Sequence, residues 1–364
     1  MTPQGIEPST RIEQPKMTLR QVTQALAAAA LVLQALPADA ASPAAAPLRL
    51  LHRTDVPGFD GDFDHFGVDV KGNRLFLAGE DKGTLEVFDL KTGKHLKTVE
   101  GLEEPHAIHF VPQSNALIVS NSGDGLSKII DGKTYAVIGT IKVRPGADVM
   151  SYDASTNQLW MVTGGKNGST KLPHAFIDVV DARTGAARGE LELDTDFTEA
   201  IAFEQQGTRA FVNVSGKSYV AVIDKNTRQI LTTWPVKEGQ NNAPMALDEA
   251  DKRLFVVTRK PFKLLVLDTD TGATIAAFDA PQRTNDLIYD KANRRLYLAG
   301  DDHVAVFSQA DADHYEEIAR VPSDKGAKTA ILVPALHRLF VAVAGKDSTK
   351  AGVLQYDVLQ AAHR

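Results

Sequence analysis

Short apolar runs rich in Val, Ile, Leu and Phe recur along most of the chain, separated by polar breaks of Gly, Asn and Asp. That is strand–turn–strand chemistry. Seven segments repeat one pattern: an apolar strand often ending in an acid, a polar turn, and a second strand opening on Leu or Ala. They include GVDVKGNRLFLAG, ALDEADKRLFVVT and IYDKANRRLYLAG. Aligned on Asp69, Val111, Asp153, Glu204, Asp248, Asp290 and Val333, they lie 42, 42, 51, 44, 42 and 43 residues apart. A third strand follows each, such as TLEVFDL or LLVLD, and then a fourth, such as VIGTIKV. Four strands in a repeat of this length make a propeller blade. The predicted fold is all-β: a seven-bladed β-propeller with four antiparallel strands per blade.

The ends of the repeat region predict how the ring closes. The seventh segment stops after its third strand, Gly352 to Leu359, and an orphan strand, Leu48 to Val56, precedes the first. The orphan is expected to complete blade seven, hiding two sheet edges that would otherwise invite aggregation. The expected layout is a signal segment at 1–40, a linker at 41–47, the propeller at 48–359 and a tail at 360–364.

The signal reading rests on MTLRQVTQALAAAALVLQALPADA, which starts at Met17, a candidate true start. Arg20 supplies the positive end, Ala25 to Leu36 is apolar for 12 residues, and Ala38-Asp39-Ala40 is an A-x-A cleavage site. A membrane span needs roughly 20 apolar residues, so no span is expected after cleavage. The expected compartment is the periplasm or the exterior, and the expected state a monomer.

Composition narrows the chemistry. The 364 residues carry 40 Lys and Arg against 46 Asp and Glu, a net charge of −6, without a block of like charge. A nucleic-acid partner is therefore not expected. No cysteine is present, which removes disulfides, thiolate metal sites and cysteine nucleophiles. No G-x-S-x-G occurs either.

Strand position then sorts the loops into two faces. One face carries the turns between a blade's first and second strands and between its third and fourth. Five of the latter share D-x-x-T spacing: Asp89/Thr92, Asp131/Thr134, Asp181/Thr184, Asp224/Thr227 and Asp268/Thr271. A carboxylate at a turn's first position accepts backbone N–H bonds, so these are structural. The opposite face is irregular, as working faces are. Five residues before each aligned position stand Asp64, His106, Asp148, Glu199, Ala243, Asn285 and Lys328, with His65, Asp286 and Thr329 beside them. These positions begin the innermost strands, so their side chains are expected to surround the channel mouth. The binding set is Asp64, His65, His106, Asp148, Glu199, Asn285, Asp286 and Lys328. Because each precedes a packed run, alanine at His65, His106 or Glu199 is expected to leave folding nearly intact, within about half a kcal/mol.

The segments LFLAGEDKGTLEVFDLKTGK, LFVVTRKPFKLLVLDTDTGA and AFVNVSGKSYVAVIDKNTRQ resemble the YVTN-repeat β-propeller family, the YncE-like proteins, and more distantly the seven-bladed lactonase group. The likeness covers residues 48–359. It implies an exported bacterial propeller; its motifs specify the blade and carry over no catalytic residue set.

Several features bear on a ligand. Asp60-Gly61-Asp62-Phe63-Asp64-His65 opens like a calcium loop, but places six and twelve hold His65 and Lys71 instead of Gly and Glu. A divalent ion, Ca or Zn, held jointly by Asp64, His65, His106 and Glu199 fits the ligand chemistry better; the plain alternative is a hydrated channel whose polar groups pair with each other. The connection Gly164 to His174 is long enough for a lid or partner contact, and Arg259-Lys260 is a basic pair on the working face suited to an anion. His109, His303, His314 and His337 stand singly, and Trp160 and Trp234 fall at core positions. Two functions fit: a binding or scaffold protein holding a small molecule or protein partner on this face, or a metal-assisted hydrolase or lyase at the channel mouth.

Overall fold

The computed structural model describes residues 46–346 and 349–360, so the expected signal segment at 1–40 lies outside the described residues. Within them the chain forms seven four-stranded antiparallel sheets. Six blades run in sequence order, beginning with Phe66–Asp69, Arg74–Gly79, Thr84–Asp89 and His95–Val99. The seventh has spatial order Leu48–Asp55, Gly352–Val358, Arg338–Val343, Ala327–Val333. Leu48 pairs with Val358 and Asp55 with Gly352, so the first strand closes the ring as expected. Among the described residues no helix is long and apolar enough to cross a membrane.

The second and third strands of most blades are largely buried on both faces, as in Arg74–Gly79 and Thr84–Asp89; the third strand of blade two, Leu126–Asp131, is mostly half-buried. The outermost strands are the exposed ones, and Thr274–Asp279 and Tyr315–Pro322 alternate half-buried with exposed residues. This matches the period of two in which one face packs and the other meets water. The apolar core is divided between the blades. Each cluster joins two neighbours: Trp160 and Ile177 of blade three with Phe203 and Val212 of blade four, for example, and Phe88 of blade one with Phe340 of blade seven. Trp160 is fully buried and Trp234 nearly so, at the core positions expected.

All five D-x-x-T turns form as anticipated. In each, the Asp Oδ1 accepts both the backbone N–H and the hydroxyl of the Thr, at 2.8 Å for both in Asp89/Thr92. Blade six makes the same turn with a histidine: Asp311 Oδ1 accepts the His314 N–H at 3.0 Å and His314 Nδ1 lies 2.8 Å away.

Candidate functional site

The innermost strands enter the sheet through a repeated irregularity. In blade one, Asp64 N–H donates to Ala78 O and His65 O accepts from Ala78 N–H, so two residues face one. Asp148–Val149 opposite Val162 and Glu199–Ala200 opposite Asn213 do the same. Register also slips at His106–Ala107, Ala243–Pro244 and Lys328. A β-bulge bends the strand and re-aims the side chain at the extra position. That is how one place in the repeat delivers polar groups to the channel axis while the next residues return to the apolar core.

The structure brings the sequence-selected residues together. Asp64, 5 % exposed, is the hub. Its Oδ2 lies 2.8 Å from His106 Nδ1 and its Oδ1 accepts from Asn285 Nδ2 at 3.1 Å. His65 Nε2 is 3.7 Å from the same Oδ1, and His65 Nδ1 is 3.2 Å from Asp286 Oδ1. Asp286 Oδ2 accepts the Ala330 N–H. Asp148 Oδ1 stands 3.6 Å from His106 Nδ1, and its Oδ2 accepts from Asn167 at 3.0 Å. Lys328 Nζ lies 3.7 Å from Glu80 and 3.9 Å from Asp62. Ala243 is the one apolar member, fully buried on the channel wall.

Electrostatics follow from this packing. Burial alone would lower both imidazoles, but Asp64 and Asp286 raise His65 to about 10, and Asp148 and Asp64 raise His106 to about 9. Both are therefore imidazolium at neutral pH. The same cations, with the His106 hydrogen bond, outweigh burial at Asp64 and hold its carboxyl well below the usual range. Glu199 goes the other way: burial, with Asp148 and Asp64 nearby, lifts it to about 7 despite Arg259. Asp148 and Glu80 are also raised, chiefly by burial, with Asp64 adding repulsion.

These pairings correct three expectations. Arg259 does not wait for an anion; it donates to Glu199 Oε1 at 3.0 Å and Asn285 Oδ1 at 2.9 Å inside the ring. Among the described residues, the groups close enough to share one ion are Asp64, Glu80 and His106, whose ligand atoms lie within 4.8 Å. His65 and Glu199 are not among them, being engaged with Asp286 and Arg259. Finally, His106 and Glu199 are buried and His65 half-buried, so alanine there should strand an opposite charge and cost more than the roughly half kcal/mol expected from position alone. The acids of the calcium-like run diverge: Asp60 pairs with Lys82, and Asp62 with Lys346. His109 is a packing residue, its ring 4.7 Å from that of Tyr152 at a tilt of 36°, and burial lowers it to about 4.

Two cavities flank the ring. The first, about 460 Å³, is lined by Glu80, Glu104, His106, Ser122, Asp148 and the long connection after Gly164. That connection is tied to blade two by Ser169 Oγ, which donates to Gly123 O at 3.0 Å, and is held internally by Lys171 Nζ, which donates to Lys166 O at 2.6 Å. Lys166 Nζ rests 3.8 Å from the Phe197 ring. The second, about 280 Å³, lies in the channel, with His65, Glu199, Asn285 and Asp286 at its polar end. The two linings share no residue and are joined through Asp64. Sequence reasoning missed Glu80, Glu104 and Ser122. The signal available was the rule that connections between second and third strands share the working face, and Glu80 lies in one.

No protein-family model matches the chain. Over 103 residues, 28% of this chain, it is 29% identical to U3 small nucleolar RNA-associated protein 15 of Schizosaccharomyces pombe, and the match spans 18% of that protein. Among solved structures, a chain of the mitotic checkpoint complex superposes with a TM-score of 0.68 at 14% identity, covering 98% of this chain and 99% of that one. A chain of Kuenenia stuttgartiensis hydrazine synthase gives 0.60 at 14% identity over 68% and 83%. Likeness at such identity supports the propeller fold and carries nothing about chemistry. The YVTN repeat stands as a resemblance in sequence.

Proposed function

We propose that this chain is an exported binding protein that holds a small polar ligand bearing an ammonium or guanidinium group in the channel-mouth cavity. The carrying observation is that Glu80 and Asp148, two carboxylates raised by burial, line the same cavity of about 460 Å³. Its lysines are committed elsewhere, Lys171 to backbone carbonyls and Lys166 to Phe197. A cationic ligand would add to the charge that Lys328, 3.7 Å from Glu80, and His106, 3.6 Å from Asp148, already set against those carboxylates. Calorimetric titration with a panel of small amines, guanidines and polyols tests this. Binding of cationic members that weakens at least tenfold in Asp148→Asn and Glu80→Gln supports the reading. A panel that does not bind, or binds both variants like the parent, overturns it. Export rests on the Met17–Ala40 segment; cell fractionation and a mature N-terminus at Ala41 would support it.

The second reading is the metal-assisted hydrolase, favoured by the convergence of Asp64, Glu80 and His106. A divalent ion there would supply Lewis-acid chemistry. It would also have to displace the His106 proton, held up to about 9, so binding would tighten as pH rises. Metal analysis of purified protein, with ester and lactone hydrolysis measured with and without chelator, separates the two readings.

A further inference from the structure

We infer that Ser122 is a nucleophile, with Glu104 as its base and His106 as the cation beside its oxygen, and that the mouth cavity hydrolyses small carboxylic esters without a metal ion. This activity goes beyond the amine-binding reading of the same cavity and does not rest on it.

The inference starts from one hydroxyl and its two neighbours. Ser122 Oγ donates to Glu104 Oε2 at 2.7 Å and lies 3.0 Å from His106 Nε2. The other ring nitrogen, His106 Nδ1, is 2.8 Å from Asp64 Oδ2. With His106 imidazolium at neutral pH, both ring nitrogens donate, one to Asp64 and one to Ser122. The serine oxygen therefore has a carboxylate placed to take its proton and a cation placed to steady the negative charge left behind. A nucleophile within hydrogen-bond reach of a base, with a further group orienting the arrangement, is the geometry that covalent catalysis needs. Ser122, His106 and Glu104 all line the cavity of about 460 Å³, a size that takes a small ester. Asp64 is the positioning residue behind them.

The backbone holds the pair together. Ser122 N–H donates to Glu104 O at 3.0 Å, Gly123 N–H to Glu103 O at 3.1 Å, and Ser122 O accepts from Gly146 N–H at 3.3 Å. Glu104 itself lies in the left-handed region, at φ +52°, immediately before Pro105. A residue with a side chain is uncommon there, and a proline normally drives its predecessor to extended backbone. Strain of this kind persists where surrounding contacts over-determine it, and it gathers at functional sites. Here it accompanies the contact between the Glu104 carboxylate and the Ser122 hydroxyl.

The chemistry balances with water as the only co-reactant. Ser122 Oγ attacks the ester carbonyl carbon as its proton passes to Glu104 Oε2. The bond from that carbon to the alcohol oxygen breaks, the oxygen takes the proton from Glu104, and the alcohol leaves an acyl-serine behind. Water then gives a proton to Glu104 and adds to the acyl carbon. The carbon–Oγ bond breaks, Oγ recovers the proton, and the carboxylic acid leaves. His106 keeps both its protons throughout, and its charge favours the steps in which Oγ is negative.

The test uses the whole protein, with 4-nitrophenyl acetate as substrate and phenylmethylsulfonyl fluoride as label. The expected result is saturable release of 4-nitrophenol that survives EDTA, and a sulfonyl group located on Ser122 by peptide mass spectrometry, its Oγ–S bond formed as S–F breaks. Ser122→Ala should lower turnover at least tenfold. Turnover that stops with EDTA assigns hydrolysis to a bound metal and overturns the inference. So do the absence of turnover, a label on another residue only, and a Ser122→Ala protein as active as the parent. Should Ser122→Ala not fold, Glu104→Gln decides, because that residue is exposed. Its kcat should fall at least tenfold with KM kept; an unchanged kcat removes the base and overturns the inference. Turnover by a protein that binds no amine fails the binding reading alone, and amine binding without turnover fails this inference alone.

Discussion

Asp89 shows what a single turn residue does in this protein. Its Oδ1 accepts the Thr92 N–H and hydroxyl, and its Oδ2 accepts from Asn73 Nδ2 at 2.6 Å, tying the turn to the strand pair behind it. Asp89→Ala should lower unfolding free energy by about 1 kcal/mol, read by urea denaturation, with ligand binding unchanged. His106 behaves differently. It shields a buried carboxylate, so His106→Ala should cost about 3 kcal/mol, and a melting temperature equal to the parent's would contradict the ring as described. Glu199 makes a pH prediction. Its folded value of about 7 lies above the ordinary 4.5, so the folded state holds that proton more tightly. Its contribution to stability is complete below about 4.5 and lost as pH rises through 7. Glu199→Gln should flatten the stability profile across that window; a profile parallel to the parent's would show the carboxyl is not perturbed.

At the scale of the element, a device recurs that joins one blade to the next. Where the innermost strand ends in an acid, the residue five positions on is often Arg: Asp69 and Arg74, Glu204 and Arg209, Asp248 and Arg253, Asp290 and Arg295. Each guanidinium reaches a backbone carbonyl near the outer turn or end of the following blade: Arg74 to Gly132, Arg209 to Thr269, Arg253 to Ala312 and Arg295 to Leu359. Blade three breaks the pattern, with Asp153 followed by Gln158. There Lys225 of blade four reaches back, its Nζ 3.5 Å from Asp153 and 2.8 Å from Ser155 Oγ. Both members of that pair are buried. Lys225→Met leaves a buried carboxylate without its cation and should cost about 3 kcal/mol, measured by chemical denaturation; a loss below half a kcal/mol would mean the latch is dispensable. The outer turns add a steric contact. Gly272 has φ +73°, and a Cβ there would sit 2.2 Å from Trp234 of the preceding blade. Gly272→Ala combines backbone strain with that clash, so the folded protein should be clearly less stable.

At the scale of the whole molecule, the ring is closed by one strand from the far end of the chain. Residues 48–55 pair with residues 352–358 and no other described strand can take their place. Deleting Leu48–Val56 should expose the Gly352–Val358 edge and give aggregation or a marked drop in melting temperature; a truncated protein melting like the parent would refute closure as a source of stability. Much of this architecture was legible in the chain, because blade identity depends on alternation and turn residues that are local. The ring positions were legible for the same reason: the bulge that aims Asp64, Asp148 and Glu199 recurs at a fixed offset. Their partners were not. Glu80 follows the second strand of blade one and Arg259 stands near the end of that of blade five, both eleven residues past their aligned positions Asp69 and Asp248. The same offset holds Ser122, Gly164, Ser215, Asp301 and Ala344 in the other blades, so no residue type recurs there to mark them. The sequence alone determined the repeat, the number of blades, the closing strand and which residues reach the channel. Only the closed ring decided which charges meet there: Asn285 with Asp64 across 221 positions, and Arg259 with Glu199 across 60. Such contacts cross between blades that share no hydrogen-bonded register, so they exist only once ring curvature has brought the blade ends to a common axis. That convergence shifted the proton affinities in two ways: burial raised Glu199, Asp148 and Glu80, while the opposite charges it brought together raised His65 and His106 and lowered Asp64 against burial.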